Sequence, residues 1–372
     1  MSIVVALEAL KKYMTKNNNV KISNSIFGMH RFACAFLLCC SAMTTFKQIF
    51  GSNIHCMLGY SDVPIQMFES YCFMQSTYTL PHPINYSSIQ HHHHAQPGVS
   101  TGEYGTSHSE KGTIYHNYYQ WVCLVLVLQA CVCYVPWALW KKIEHGRVER
   151  LVEKISKDPL TEVPLADQVA GLAAFMTSHS GWYNSCAFCL LALQSLCVLL
   201  TVSQLFVMDL MLGHQFLQLG SLILTLDQIG RGLEKVFPLV VMCDMTYMGP
   251  TGEPTMVSGM CTLPINIINE KIYVVLWLLY IALIAISGIV LLGQLTLATR
   301  YPRYMKLQRS CPSVPGILLR RLVNKYTYGD FVLMQLLANN LDSTQFEVFI
   351  SILSETENHV INPSPVTSSI GQ

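Results

Sequence analysis

Four stretches of this 372-residue chain carry no Asp, Glu, Lys or Arg: Phe32 to Phe46, Gly112 to Trp140, Gln168 to Met208 and Ile272 to Thr299. A hydrocarbon layer of about 30 Å takes roughly 20 mostly apolar residues in a helix, so such runs commit a chain to the bilayer before any other feature is weighed. Composition agrees, because 51% of the residues are apolar and 12% charged, about half the charged share of a soluble domain. The first run gives only about 22 Å of helix at 1.5 Å per residue, which predicts that Lys47 snorkels outward and that Gln48 to Phe50 complete the span. Leu210 to Leu226 is also free of charge, but His214, Gln215, Gln218, Thr225 and two glycines make it costly in lipid. It is read as a surface or subunit-facing helix, leaving four spans.

Lys and Arg orient these spans. Five precede the first, six lie between the second and third, and seven follow the fourth, against five at or between the opposite ends. Basic residues near span ends stay in the cytoplasm, so both termini and the middle loop are inside. The expected layout is a cytoplasmic amino terminus at 1–30, spans at 31–50, 118–140, 183–208 and 272–299, outer loops at 51–117 and 209–271, a cytoplasmic loop at 141–182 and a cytoplasmic carboxyl-terminal region at 300–372. Met1 to Lys21 lacks the apolar core and cleavage site of a secretory leader. After Arg300 a basic cluster precedes an amphipathic stretch from Asp330 to Leu353, which predicts a helical cytoplasmic dome.

On this layout Cys56 and Cys72 fall in the first outer loop and Cys243 and Cys261 in the second, all on the oxidising side. Four cysteines allow three connectivities, and the sequence alone does not choose. The membrane cysteines, including the C-x-x-C of Cys186 and Cys189, read as small apolar packing groups. The run His91 to His94 in the first outer loop cannot all meet one tetrahedral ion and reads as an inert loop, so no metal is expected. Asn85-Tyr86-Ser87 is a glycosylation sequon on the outer side.

Several function classes drop out. A net charge of +1 gives no basic surface for nucleic acid. No phosphate loop, H-E-x-x-H, nucleophile elbow or dinucleotide fingerprint is present, so no enzyme and no cofactor is expected. Spans without charge at their centres disfavour a selective transporter and suit a wide pore with neutral polar walls, for which Ser41, Thr44 and Thr45 of the first span are candidates. The alternative is a four-pass adhesion or receptor protein without a pore, a class that pairs one small with one large outer loop, whereas the two here are of similar size.

At the outer start of the second span stands YYQWV, Tyr118, Tyr119, Gln120, Trp121 and Val122. Composition alone makes these aromatic rings headgroup anchors. Pro136 within the same span leaves the carbonyl of Val132 without its helical partner, marking a kink that is either packing or a gating hinge.

The whole string resembles the signature of the innexins, the invertebrate gap-junction family related to pannexins. KQIFG (Lys47 to Gly51), QPGV (Gln96 to Val99), GRVERLV (Gly146 to Val152), YMGPTGEP, LPINIINEKIY (Leu263 to Tyr273) and GDFVLMQLLANN (Gly329 to Asn340) resemble innexin positions in the same order. Phe73 stands where innexins usually carry Trp, and the amino terminus lacks the usual family opening.

The resemblance implies an all-α membrane protein, a four-helix bundle with two disulfide-bonded outer loops, assembled as a ring of eight subunits with itself or with other innexins. Such a ring sits in the plasma membrane, docks with an opposing hemichannel, and passes ions and small molecules between cells. It also implies the pairs Cys56 with Cys261 and Cys72 with Cys243.

Overall fold

A computed structural model describes residues 25–59, 63–79, 114–156, 165–220, 229–249 and 252–361. The sequon at Asn85 and the histidines His91 to His94 lie outside the described residues.

In chain order the elements are α1 (Ser25–Phe50), β1 (His55–Leu58), α2 (Ile65–Gln75), β2 (Thr77–Thr79), β3 (Ile114–His116), a short 3-10 turn (Tyr118–Gln120), α3 (Val122–Glu144), α4 (Arg147–Ser156), α5 (Leu165–Ser178), α6 (Asn184–Met211), α7 (Ile229–Val236), β4 (Val240–Met248), β5 (Pro254–Thr262), α8 (Pro264–Thr296), α9 (Arg300–Ser310), α10 (Gly316–Lys325), α11 (Tyr328–Ala338) and α12 (Ser343–Ile361). Helices α1, α3, α6 and α8 are the four described helices long and apolar enough to cross a membrane. Helix α1 starts at Ser25, ahead of the charge at Arg31, so the short first run is lengthened at its amino end as well as through Lys47 to Phe50.

The charge-free stretch that begins at Leu210 does not continue the third span as one helix. Helix α6 stops at Met211, and Gly213 and His214 both take positive φ, at 60° and 64°, which turns the chain out of the helix. Phe216 and Leu219 are buried beyond that turn, and residues 221–228 lie outside the described residues.

The chain divides into two compact units. One comprises 1–28, 135–197 and 286–372, and the other 29–134 and 198–285, so each unit takes in part of every span. The second unit contains both outer loops, which build a five-stranded antiparallel sheet in the order β1-β5-β4-β2-β3. This sheet is an addition to the helical architecture expected from sequence. The β4–β5 hairpin has nine paired positions, from Val240 opposite Thr262 to Met248 opposite Pro254. Its turn is closed by the Gly249 amide donating to the Glu253 carbonyl at 2.9 Å, with Gly252 at φ 79°.

The first unit holds the helical dome. Its core joins Ile26 and Phe27 of α1 and Trp140 of α3 to Phe331, Leu333 and Leu337 of α11 and Phe349, Ile350 and Leu353 of α12. The amphipathic stretch from Asp330 to Leu353 is two helices, separated at Asn339 to Asp342. Helix α11 opens with a capping box in which Thr327 and Asp330 satisfy each other's backbone amides. The Asp330 carboxylate also accepts from the Gly181 amide at 2.8 Å and the Ser180 hydroxyl at 3.1 Å. Asn184 accepts from the Gly329 amide at 2.8 Å and the Thr327 hydroxyl at 2.9 Å. The GDF motif thus pins α11 to the start of α6.

Candidate functional site

The disulfide-bonded outer cap is the candidate site, and it begins with register. Strand β1 pairs antiparallel with β5, placing Cys56 directly opposite Cys261, and these two are bonded with Cα atoms 4.0 Å apart. Helix α2 lies on the same face of the sheet and brings Cys72 to Cys243 of β4, the second bond. The sulfurs of Cys56, Cys72 and Cys261 lie within 4.8 Å of one another, so the two bonds form one buried sulfur core. Phe68 of α2 packs beside it over Gly259, where a Cβ would come within 2.7 Å of the ring. Only glycine lets the helix lie this close to the sheet.

The strands alternate as a half-covered sheet should. Val241, Cys243 and Met245 of β4 are buried, whereas Met242, Asp244 and Thr246 are on the more open face. On that face Asp244 accepts from the Tyr78 hydroxyl at 2.8 Å, tying the two outer loops across β2 and β4. Glu69 of α2 accepts from the Cys56 amide at 3.0 Å. Buried His116 on β3 shares a hydrogen bond with Thr79 at 2.9 Å, and desolvation lowers its pKa to about 4, so the ring is neutral at physiological pH.

The YYQWV segment is the joint between this cap and the membrane. Tyr118 and Tyr119 are 6% and 0% exposed, which corrects their reading as headgroup anchors; only Trp121, 55% exposed, fits that role. The Tyr118 hydroxyl donates to the carbonyl of Val236, just before β4, at 3.2 Å. Gln120 donates to the carbonyls of Phe73 and Met74 at the end of α2, at 2.6 and 2.9 Å. Gln48 at the outer end of α1 donates to the carbonyl of Tyr119 at 3.1 Å. Phe73 packs its ring 5.3 Å from that of Tyr119 at a tilt of 34°, and Val122 is fully buried. Segments from the first span, both outer loops and the second span therefore meet on five consecutive residues.

The other candidates separate. Ser41 and Thr44 are buried within the subunit, the Ser41 hydroxyl donating to the Cys123 carbonyl at 2.9 Å and Thr44 to the Ser41 carbonyl at 2.9 Å. The Ser41 bond joins α1 to α3, whereas the Thr44 bond stays within α1. Thr45 is half-buried. Pro136 lies inside the continuous helix α3, two residues from the division between the compact units at Tyr134 and Val135. The structural roles of Gln48, Glu69 and Asp244 were missed from sequence, the first and last because their partners lie 71 and 166 residues away. The signal that did exist was the alternation in VVMCDMTYM followed by a glycine-rich turn, which marks a strand and hairpin.

Comparison with known proteins gives a consistent result. The sequence profile of the family described as Innexin matches residues 23–356. The chain is 30% identical over 354 residues to the innexin inx2 of Schistocerca americana, covering 92% of this chain and 96% of that one. It is 31% identical over 350 residues to the innexin inx2 of Drosophila melanogaster, covering 92% and 93%. To the innexin shaking-B of Drosophila melanogaster it is 26% identical, with 94% of each chain covered.

Proposed function

The chain belongs to the innexin family, and from that premise we propose that it is the repeating subunit of a gap-junction channel in the plasma membrane, with a wide pore for ions and small molecules. The observation that carries this reading is the clamped cap: two outer loops fused by two disulfides into one sheet and fastened to the spans through YYQWV. Docking two rings end to end requires a surface already ordered before contact, because loops that order on binding lose affinity to conformational entropy. Catalysis has no part in the reading.

The finer assignments extend it. Eight copies, of this chain alone or mixed with other innexins, form the ring, and the ring docks with an opposing hemichannel. Both termini face the cytoplasm. Of the polar candidates on the first span, Thr45 is the one assigned to the pore wall, with Ser41 and Thr44 assigned to helix packing. Pro136 acts as a hinge in gating, since a missing amide hydrogen bond lowers the cost of bending there. A glycan on Asn85 would obstruct docking and favour unpaired hemichannels.

The test is dye and current transfer between paired cells expressing only this chain, with single cells recorded in parallel. Transfer between pairs supports the docked channel, and current confined to single cells restricts the function to hemichannels. Surface protein that carries neither current overturns the pore.

A further inference from the structure

Where α8 leaves the membrane it meets α9 along a groove of about 600 Å³, a volume in the range of small-ligand sites. One wall is mostly apolar, formed by Val290, Gly293 and Gln294 of α8 with Leu297 just past its end, and the other is formed by Met305, Lys306 and Arg309 of α9. Its depth in the bilayer follows from the sequence. The charges at Glu270 and Lys271 mark the outer end of the span, and Ile272 to Thr296 covers about 37 Å of helix, which brings the groove to the inner headgroup layer.

The electrostatics are one-sided. Arg300 to Lys325 contains seven Lys and Arg, and no Asp or Glu occurs between Glu270 and Asp330. Arg303 is already engaged, its guanidinium donating to the carbonyls of Leu297 and Ala298 at 2.6 and 2.7 Å and so holding the turn between α8 and α9. Lys306 and Arg309, one turn apart and facing the groove, have no ion-pair partner among the described residues. Lys306 is exposed at the mouth of the groove, and desolvation by the protein beside it lowers its pKa. An anion seated there would relieve that penalty. A Cβ built on Gly293 meets nothing within 4 Å, so the floor of the groove is open.

We propose that this groove binds an anionic phospholipid of the inner leaflet, its phosphate on Lys306 and Arg309 and an acyl chain along Val290, Gly293 and Leu297. The chemistry needed is an anionic phosphate joined to an apolar tail. Juxtamembrane basic clusters attract such headgroups electrostatically. The apolar wall distinguishes the site from diffuse attraction.

The experiment uses the full chain in neutral detergent and measures binding of a dioctanoyl phosphoinositide, with dioctanoyl phosphatidylcholine as the uncharged comparison. Lys306→Gln with Arg309→Gln is expected to weaken phosphoinositide binding at least tenfold. Arg320→Gln with Arg321→Gln, removing equal charge outside the groove, is expected to weaken it less than threefold. Gly293→Leu keeps every charge and fills the floor, and is expected to weaken binding about tenfold with thermal melting unchanged. Equal losses in the two charge pairs would reduce the site to a diffuse potential and overturn the proposal. So would phosphatidylcholine binding as tightly, or the tail-free inositol phosphate or inorganic phosphate competing at the same concentration as the lipid.

Discussion

Removing one disulfide from the outer cap should cost almost the same whichever is removed, and the reason lies in topology. The bonds close sequence separations of 205 and 171 residues, which differ by only 34. One bond is nested within the other. With either already formed, the second closes only the ring made of the short segments between them, about 35 residues, and not a loop of some 200. The chain-entropy relation gives about 4 kcal/mol for such a ring, and inserted spans that hold the loop ends near each other reduce it to roughly 2–4 kcal/mol. The perturbation is Cys72→Ala with Cys243→Ala, compared with Cys56→Ala with Cys261→Ala. Hydrogen exchange of the β4–β5 amides in nanodiscs reads the opening equilibrium directly. Each pair should lower protection about 30- to 1,000-fold, and the two should agree within about a factor of ten. Protection within threefold of the parent, or a disparity well beyond tenfold between the pairs, would refute the shared-ring reasoning. Junctional current should be lost in both, with protein still made.

Other perturbations test the joint, the dome and the cap. Gln120→Leu removes both donors to Phe73 and Met74 and strands two carbonyls, costing about 1–3 kcal/mol; a lowered melting temperature with weak surface delivery is expected. Gly329→Ala places a Cβ 2.5 Å from the Asn184 backbone and should destabilise the dome by more than Asp330→Asn, which loses about 2 kcal/mol of charge-assisted bonding at the same junction. Thermal melting of the two variants gives the order. Because folding lowers the pKa of His116 from 6.5 to about 4, its contribution is complete above the unfolded value and falls as pH drops towards the folded one. At pH 5.5 the loss is about 1.4 kcal/mol, read as faster exchange of the β2 and β3 amides. His116→Asn should abolish that acid sensitivity.

The spans were legible because a charged group in hydrocarbon is costly enough to leave long gaps in the sequence. Their ends were less so. Helix α8 begins at Pro264, eight residues before the charge-free run, because Asn266 is satisfied by the Pro238 carbonyl at 2.9 Å and Lys271 by Glu270 at 2.6 Å. Charge counting cannot see such partners. The same holds for Tyr118 and Tyr119. Their composition is that of interface anchors, and burial comes from segments more than 40 residues away in the chain. The sheet is the extreme case, since β1 and β5 pair across about 200 residues and β1 is only four residues long. Local propensity has little to say about an element whose partner lies that far off.

The strand order also sets a timetable for synthesis. Loop-one strands β1 and β2 flank the hairpin of loop two on either side, so the hairpin must slot between them. At 5–20 residues per second, the 205 residues between Cys56 and Cys261 take roughly 10–40 s to make. For that interval Cys56 and Cys72 wait as free thiols with unpaired strand edges beside them. Their nearest oxidation partner is each other, 16 positions apart, a wrong bond that thiol–disulfide exchange must undo before the cap can close. Folding of the outer face is thus tied to the oxidoreductases of the secretory pathway, and the yield of competent subunits should track their activity.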